Sequence, residues 1–179
     1  MALTNKDIYL GSGKLYVAEF NGTIPKDEAF EIEANRLGDI KDGCTFTKES
    51  EFYTAEDDLK RVSKTIITGT SVKLKSGVIT WNGETLAKLD PTITSTTAED
   101  GTQTIVGGTL EGAVIKDYVV RFVSADNLLR ITIVGNTQNG FELGFQKDKE
   151  TSIDAEFLGK PFTDGNSTRL FKMELKQAQ

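Results

Sequence analysis

Apolar residues recur at every second position through most of this chain. That spacing selects extended strands with one face buried, because successive side chains of a strand point to opposite sides. In Ile40–Glu49 the alternation puts Ile40, Cys44 and Phe46 on one side and Lys41, Thr45 and Thr47 on the other. In Lys64–Lys75 it separates Ile66, Thr70, Val72 and Leu74 from Thr65, Ser71, Lys73 and Lys75. The same rhythm runs through Tyr118–Val123, Leu129–Val134, Ile153–Leu158 and Phe171–Lys176, with a shorter strand at Lys14–Phe20 leading into Asn21-Gly22. Valine and threonine are frequent throughout, as a pleated, half-buried surface favours.

One segment departs from the period of two. Between Trp81 and Leu89, Leu86 and Leu89 fall at helical spacing, Asn82 is placed to cap, and Pro91 stops the run. A short helix is expected there. Glu99-Asp100-Gly101 predicts a hairpin joining Thr92–Thr97 to Thr102–Val106, and Asp164-Gly165-Asn166 predicts a second turn before the last strand. Many strands, one helix and no βαβ rhythm indicate a mainly β chain. The expected architecture is an antiparallel β-sandwich or barrel with one short flanking α-helix, in a single domain over 1–179.

Composition narrows the chemistry. The 179 residues include no histidine and one cysteine, Cys44. Histidine-based triads, Cys-His pairs and imidazole metal ligands are therefore excluded, as are an intrachain disulfide and a multi-cysteine zinc site. The formal net charge is −6, spread evenly along the chain, which argues against a protein that grips phosphates. No apolar run approaches the length of a membrane span. The start, MALTNKDIYLGSGK, lacks an apolar signal-peptide core, so an intracellular origin with Cys44 reduced is expected. Asn21-Gly22-Thr23 and Asn166-Ser167-Thr168 then read as turns rather than glycan sites.

Local motifs give little support to catalysis. Gly11-Ser12-Gly13-Lys14 looks like the end of a phosphate-binding loop. Ile8 stands where the first glycine is needed, and Leu15 where a hydroxyl residue is needed. Glu56-Asp57-Asp58 lacks calcium-loop spacing, and scattered carboxylate pairs are too common to indicate a glycosidase. Cys44 shares its face with Ile40 and Phe46 and reads as a small buried hydrophobe. The stretch Ser50–Arg61 stands out instead. It is read as a long connection between the two longest strands, rich in carboxylates and carrying the aromatic pair Phe52-Tyr53. Long connections often carry function.

The order of these features resembles the major tail protein of long-tailed bacteriophages, the subunit of the tail tube. The resemblance is carried by LGSGKLYVAEFNGTIP near the start, EFYTAEDD in the long connection, and SGVITWNGETLAKL across the strand-to-helix passage. It continues in KDYVVRFVSAD with RITIVGN, and in FELGFQKDKETSIDAEFLGKP. It implies a β-sandwich fold shared with the tube of type VI secretion machines. It implies a structural rather than enzymatic role, without cofactor or metal. Hexameric rings would stack into a hollow tube that genomic DNA traverses during infection. The expected partners are further copies of the chain, the tape measure protein, the tail terminator and the baseplate or distal tail proteins, with no membrane anchoring. The protein would reside in the virion tail after assembly in the bacterial cytoplasm. The alternative within the particle is a tail decoration or baseplate binding module.

Mapped onto this sequence, the resemblance makes Leu37–Glu49, Lys64–Ser76, Lys116–Ser124 and Leu128–Gly135 the tube's inner strands. It makes 1–8 an N-terminal arm and 50–61 the loop that reaches an adjacent ring, through Glu51, Phe52, Tyr53, Glu56, Asp57 and Asp58. The residues expected to face the lumen are Asp39, Lys41, Thr45, Thr47, Ser71, Lys73, Lys75, Arg121 and Arg130. Tube interiors of this family tend to be acidic, whereas this set is rich in lysine and arginine.

Overall fold

Strand-forming sequence dominates the computed structural model, which describes residues 12–148 and 150–176. The expected N-terminal arm, 1–8, lies outside the described residues. The fold is mainly β, a large antiparallel sheet with two helices.

The main sheet is built from β1 (Gly13–Glu19), β2 (Arg36–Gly38), β3 (Ile40–Glu56), β4 (Ser63–Val78), β7 (Tyr118–Ser124), β8 (Leu129–Asn136), β9 (Ile153–Lys160) and β12 (Phe171–Leu175). Its order is β2-β1-β7-β8-β9-β4-β3, with β12 also pairing β8. The free side of β8 is shared. Its first half pairs with β12, from Leu129↔Leu175 to Ile133↔Phe171, and its last three residues pair with β9. Because β2 and β3 are separated only by Asp39, the two ends of the sheet are consecutive in the chain. The sheet therefore curls round until one continuous run serves both edges, and this makes it barrel-like.

Inside the curl lies the main core. Leu15 and Val17 of β1, Val120 and Phe122 of β7, Ile131 and Ile133 of β8, Val72 and Leu74 of β4, and Ile153 and Phe157 of β9 pack together. The helix α2 (Gly83–Leu89) closes one end with Leu86 and Leu89. Asn82 caps it as the sequence suggests. Its side chain accepts from the Thr85 amide at 3.0 Å, and Thr85 in turn donates to the Leu37 carbonyl at 3.1 Å, which ties the helix to β2. Two small hairpins complete the chain: β5 (Thr94–Thr97) with β6 (Gln103–Val106), and β10 (Phe162–Asp164) with β11 (Ser167–Arg169). Both follow the predicted turns.

The opposite face of β1, β7 and β8 is covered too, by a segment the alternation does not reveal. Residues 20–35 form a strap containing the single-turn helix α1 (Asp27–Phe30) and a 3-10 turn, Glu33–Asn35. Phe30 is fully buried there among Tyr16, Val119, Val123, Val134 and Phe162. This second layer explains why β7 is buried on both faces.

Truncating Phe30 empties the centre of that layer. The variant Phe30→Ala is expected to lose about 3–5 kcal/mol of unfolding free energy, read from urea denaturation midpoints.

Candidate functional site

The longest elements, β3 with 17 residues and β4 with 16, form one antiparallel hairpin. Only Lys73–Val78 of β4 pairs onward to β9, so the distal half projects beyond the sheet as a two-stranded arm. This corrects the reading of 50–61 as a loop. Ser50–Glu56 continue β3, paired through Glu56↔Ser63, and the true connection is Asp57–Val62. Alternation does not show this because a register shift at Glu51/Phe52, with no covering layer among the described residues, leaves both faces mixed.

Register places the side chains of the arm. Phe52 opposes Ile67 on one face, and Tyr53 opposes Ile66 on the other. Phe52 and Ile67 are 63% and 64% exposed, so the arm presents apolar surface on both sides rather than one. Leu59 and Val62 extend it to the turn. A two-stranded ribbon with no buried face gains little from such residues by itself. The turn is nevertheless well formed. Asp57 accepts from the Val62 amide at 2.8 Å and from the Arg61 amide, and those donors hold its carboxyl below the ordinary range. Asp57 is thus a structural cap of the turn, while Glu51, Glu56 and Asp58 stay exposed. Alongside the arm, β3 pairs only with β4, leaving its other edge open among the described residues.

At the base of the arm the outward face of β3, β4 and β9 carries most of the expected lumen residues. Thr45, Thr47, Ser71, Lys73 and Lys75 share this face, with Lys41 at its end. Each lysine meets a carboxylate. Lys75 Nζ lies 2.7 Å from Asp154, Lys73 Nζ lies 4.0 Å from Glu156, and Lys41 pairs with Glu150. The hydrogen bonds to Asp154 and Glu150 push the Lys75 and Lys41 ammonium groups up, so they stay charged but compensated. Asp39 stands apart, at the junction of β2 and β3, where it pairs with Arg36 and accepts from Thr80.

Arg121 and Arg130 are not on this surface. Both point under the strap, and the Arg121 side chain is only 3% exposed. Its Nη1 donates to Asp27 at 2.7 Å and to Glu31 at 3.1 Å, its Nε donates to Thr132 at 3.0 Å, and its guanidinium lies 5.0 Å from the Phe30 ring centre. Arg130 grips Glu31 with two bonds of 2.7 and 3.0 Å. Alternation puts both on a polar face, and the strap that covers that face carries no periodic signal. The four strands expected to be consecutive are not, since β9 intervenes between β4 and β8.

Cys44 packs against the main core, and burial pushes its thiol up to about 12. It is a structural residue.

A scan against protein-family models gives no match, and a search of curated proteins finds no relative.

Two outcomes follow from these charges. Burial opposes ionisation of Glu31, but bonds from Arg130 and Arg121 outweigh it and hold its carboxyl below the ordinary range. A lowered folded value means a contribution that is complete above the unfolded titration and lost as pH falls through the folded one. Urea midpoints of Glu31→Gln should therefore be lower than those of the parent at neutral pH, with the gap closing from about pH 5 downward. On the β3–β4–β9 face, joint replacement Glu150→Gln, Asp154→Asn and Glu156→Gln should create salt-sensitive retention of duplex DNA. Fluorescence anisotropy at low ionic strength would detect it; the parent should show none.

Proposed function

We propose that this chain is a structural subunit of a bacteriophage tail tube, assembling with further copies of itself into stacked hexameric rings. The observation that carries this reading is the projecting β3–β4 arm. It exposes Phe52, Tyr53, Ile66 and Ile67 on two opposite faces, beside a strand edge that is open among the described residues. A monomer gains nothing by extending such an arm into water, where apolar patches and open edges invite pairing. A neighbouring subunit that covers both faces removes that penalty.

The charge pattern supports the same reading. A wall that DNA passes must not hold phosphates, and holding them requires free Lys or Arg. On the outward β3–β4–β9 face, Lys41, Lys73 and Lys75 are each engaged by a carboxylate of the same chain. We assign this face to the lumen and the arm to contact between rings. The tape measure protein, tail terminator and baseplate or distal tail proteins are then the expected partners at the two ends of the tube. Genomic DNA is the transient passenger.

Electron microscopy of the concentrated protein tests the proposal directly. Hollow tubes of regular axial repeat are expected from the parent. Phe52→Asp combined with Ile67→Asp should abolish them. The melting temperature of the monomer should stay nearly constant, since exposed substitutions usually change stability by about 0.5 kcal/mol or less. Tubes formed undiminished by the double variant would sink the assignment of the arm. Labelling confined to one end of a tailed particle would sink that of a tube subunit.

A further inference from the structure

The joint between the two halves of the main sheet is narrow. β8 and β9 meet through three residue pairs only: Val134↔Lys160, Gly135↔Gly159 and Asn136↔Leu158. The central pair has no side chains, and none would fit. A Cβ on Gly135 would lie 2.0 Å from the Leu158 carbonyl oxygen, and one on Gly159 would lie 2.2 Å from Val72 Cγ2. Reinforcement by side-chain packing is therefore impossible at the middle of the joint.

Beside it stands an unusual set of functional groups. Asp117 immediately precedes β7, next to the Tyr118↔Gly135 pair, and its Oδ1 accepts two hydrogen bonds. One comes from Lys160 Nζ at 2.7 Å and the other from Asn136 Nδ2 at 2.9 Å. On the far side of the same amide, Gln138 Nε2 donates to Asn136 Oδ1 at 3.2 Å. The two contacts fix the amide orientation, with nitrogen toward the carboxylate and oxygen toward the donor. Asn136 is 3% exposed, whereas the Lys160 side chain keeps 43% of its exposure.

We propose that these residues form an amide cross-link between Lys160 and Asn136, with Asp117 as the catalytic proton carrier. A nucleophile, an acyl group, a shared base and a donor to the developing oxyanion are the four parts such a transfer needs. Asp117 takes a proton from the Lys160 ammonium. The freed lone pair attacks Asn136 Cγ, forming the Nζ–Cγ bond and moving the carbonyl electrons onto Oδ1, which the Gln138 N–H stabilises. Asp117 delivers its proton to Nδ2, and the Cγ–Nδ2 bond breaks as the carbonyl re-forms. Asp117 then relays the surplus Nζ proton to the released ammonia, which leaves as ammonium. A primary amide and a lysine ammonium become a secondary amide and free ammonium, with no change of oxidation state and Asp117 restored. Burial of Asn136 keeps water from competing for Cγ, and the open side at Lys160 lets ammonium escape. The product spans β8 and β9, the joint that packing cannot strengthen.

The test is the intact mass of the purified, denatured full-length chain, followed by peptide mapping. The parent should weigh less than its sequence by one ammonia. A branched peptide should join Lys160 to Asn136, and hydroxylamine should leave it intact. Lys160→Arg, which keeps a cation beside Asp117, and Asp117→Asn should each restore the full sequence mass while retaining the parent's circular dichroism. Full mass in the parent would overturn the proposal. So would an ammonia loss that persists in Lys160→Arg, or one that hydroxylamine abolishes by cleaving the chain, because that marks a succinimide at an Asn-Gly pair such as Asn82-Gly83.

Discussion

At Gly38 the backbone presses so closely on the segment just after β4 that a Cβ would lie 2.0 Å from the Thr80 carbonyl oxygen. That approach lets the chain leave β2, paired to β1, and emerge one residue later as β3, paired to β4. The amide of Ile79 closes the corner on the Asp39 carbonyl at 2.8 Å. The remainder of the molecule depends on this corner. It turns an open seven-strand path into a curled sheet with an interior, and it brings Leu37 to the core beside α2. It also commits β3 to lie at the outside of β4, where its length can run on past the body of the fold.

The two faces of the sheet solve the problem of charge differently. Under the strap, Arg121 and Arg130 are withdrawn from water and compensated at short range by Asp27 and Glu31. Removing one partner from such a cluster strands a buried charge, which costs far more than an exposed ion pair contributes. On the β3–β4–β9 face the pairs are half-exposed, and their value lies in the field they cancel rather than in stability. The same residue types thus act as a structural lock in one place and as a screen in the other, and depth of burial decides which.

Much of this architecture was legible in the sequence. The strands covered by one core layer, such as β4 near Val72 and Leu74 or β9 at Ile153–Phe157, alternate cleanly because one face meets oil and the other water. The capped helix at Asn82, the hairpin at Glu99-Asp100-Gly101 and the turn at Asp164-Gly165-Asn166 are readable from local chemistry alone. The strap was not, because a one-turn helix has too few residues to show a period, and its hold on the sheet is a matter of distant partners. Arg121 reads as surface for that reason. The distal hairpin reads as a loop because no element among the described residues covers it, so no burial pattern is written into it. The convergence of Asp117, Asn136 and Lys160 depends on a register that no local spacing encodes.

The long hairpin also bears on the order in which the chain acquires structure. Its strands are neighbours in sequence, joined by a short turn, so its closure costs little chain entropy. The pairing of β1 with β7 is the reverse case, since it sets Leu15 against Phe122 across most of the intervening chain. Local ribbons form in microseconds, whereas such distant pairings are slow. During synthesis the residues of the arm are therefore all present while the strand that must close against β1 is still unmade. A lone two-stranded ribbon is marginal, so Phe52, Tyr53, Ile66 and Ile67 stand exposed before the body that carries them has closed.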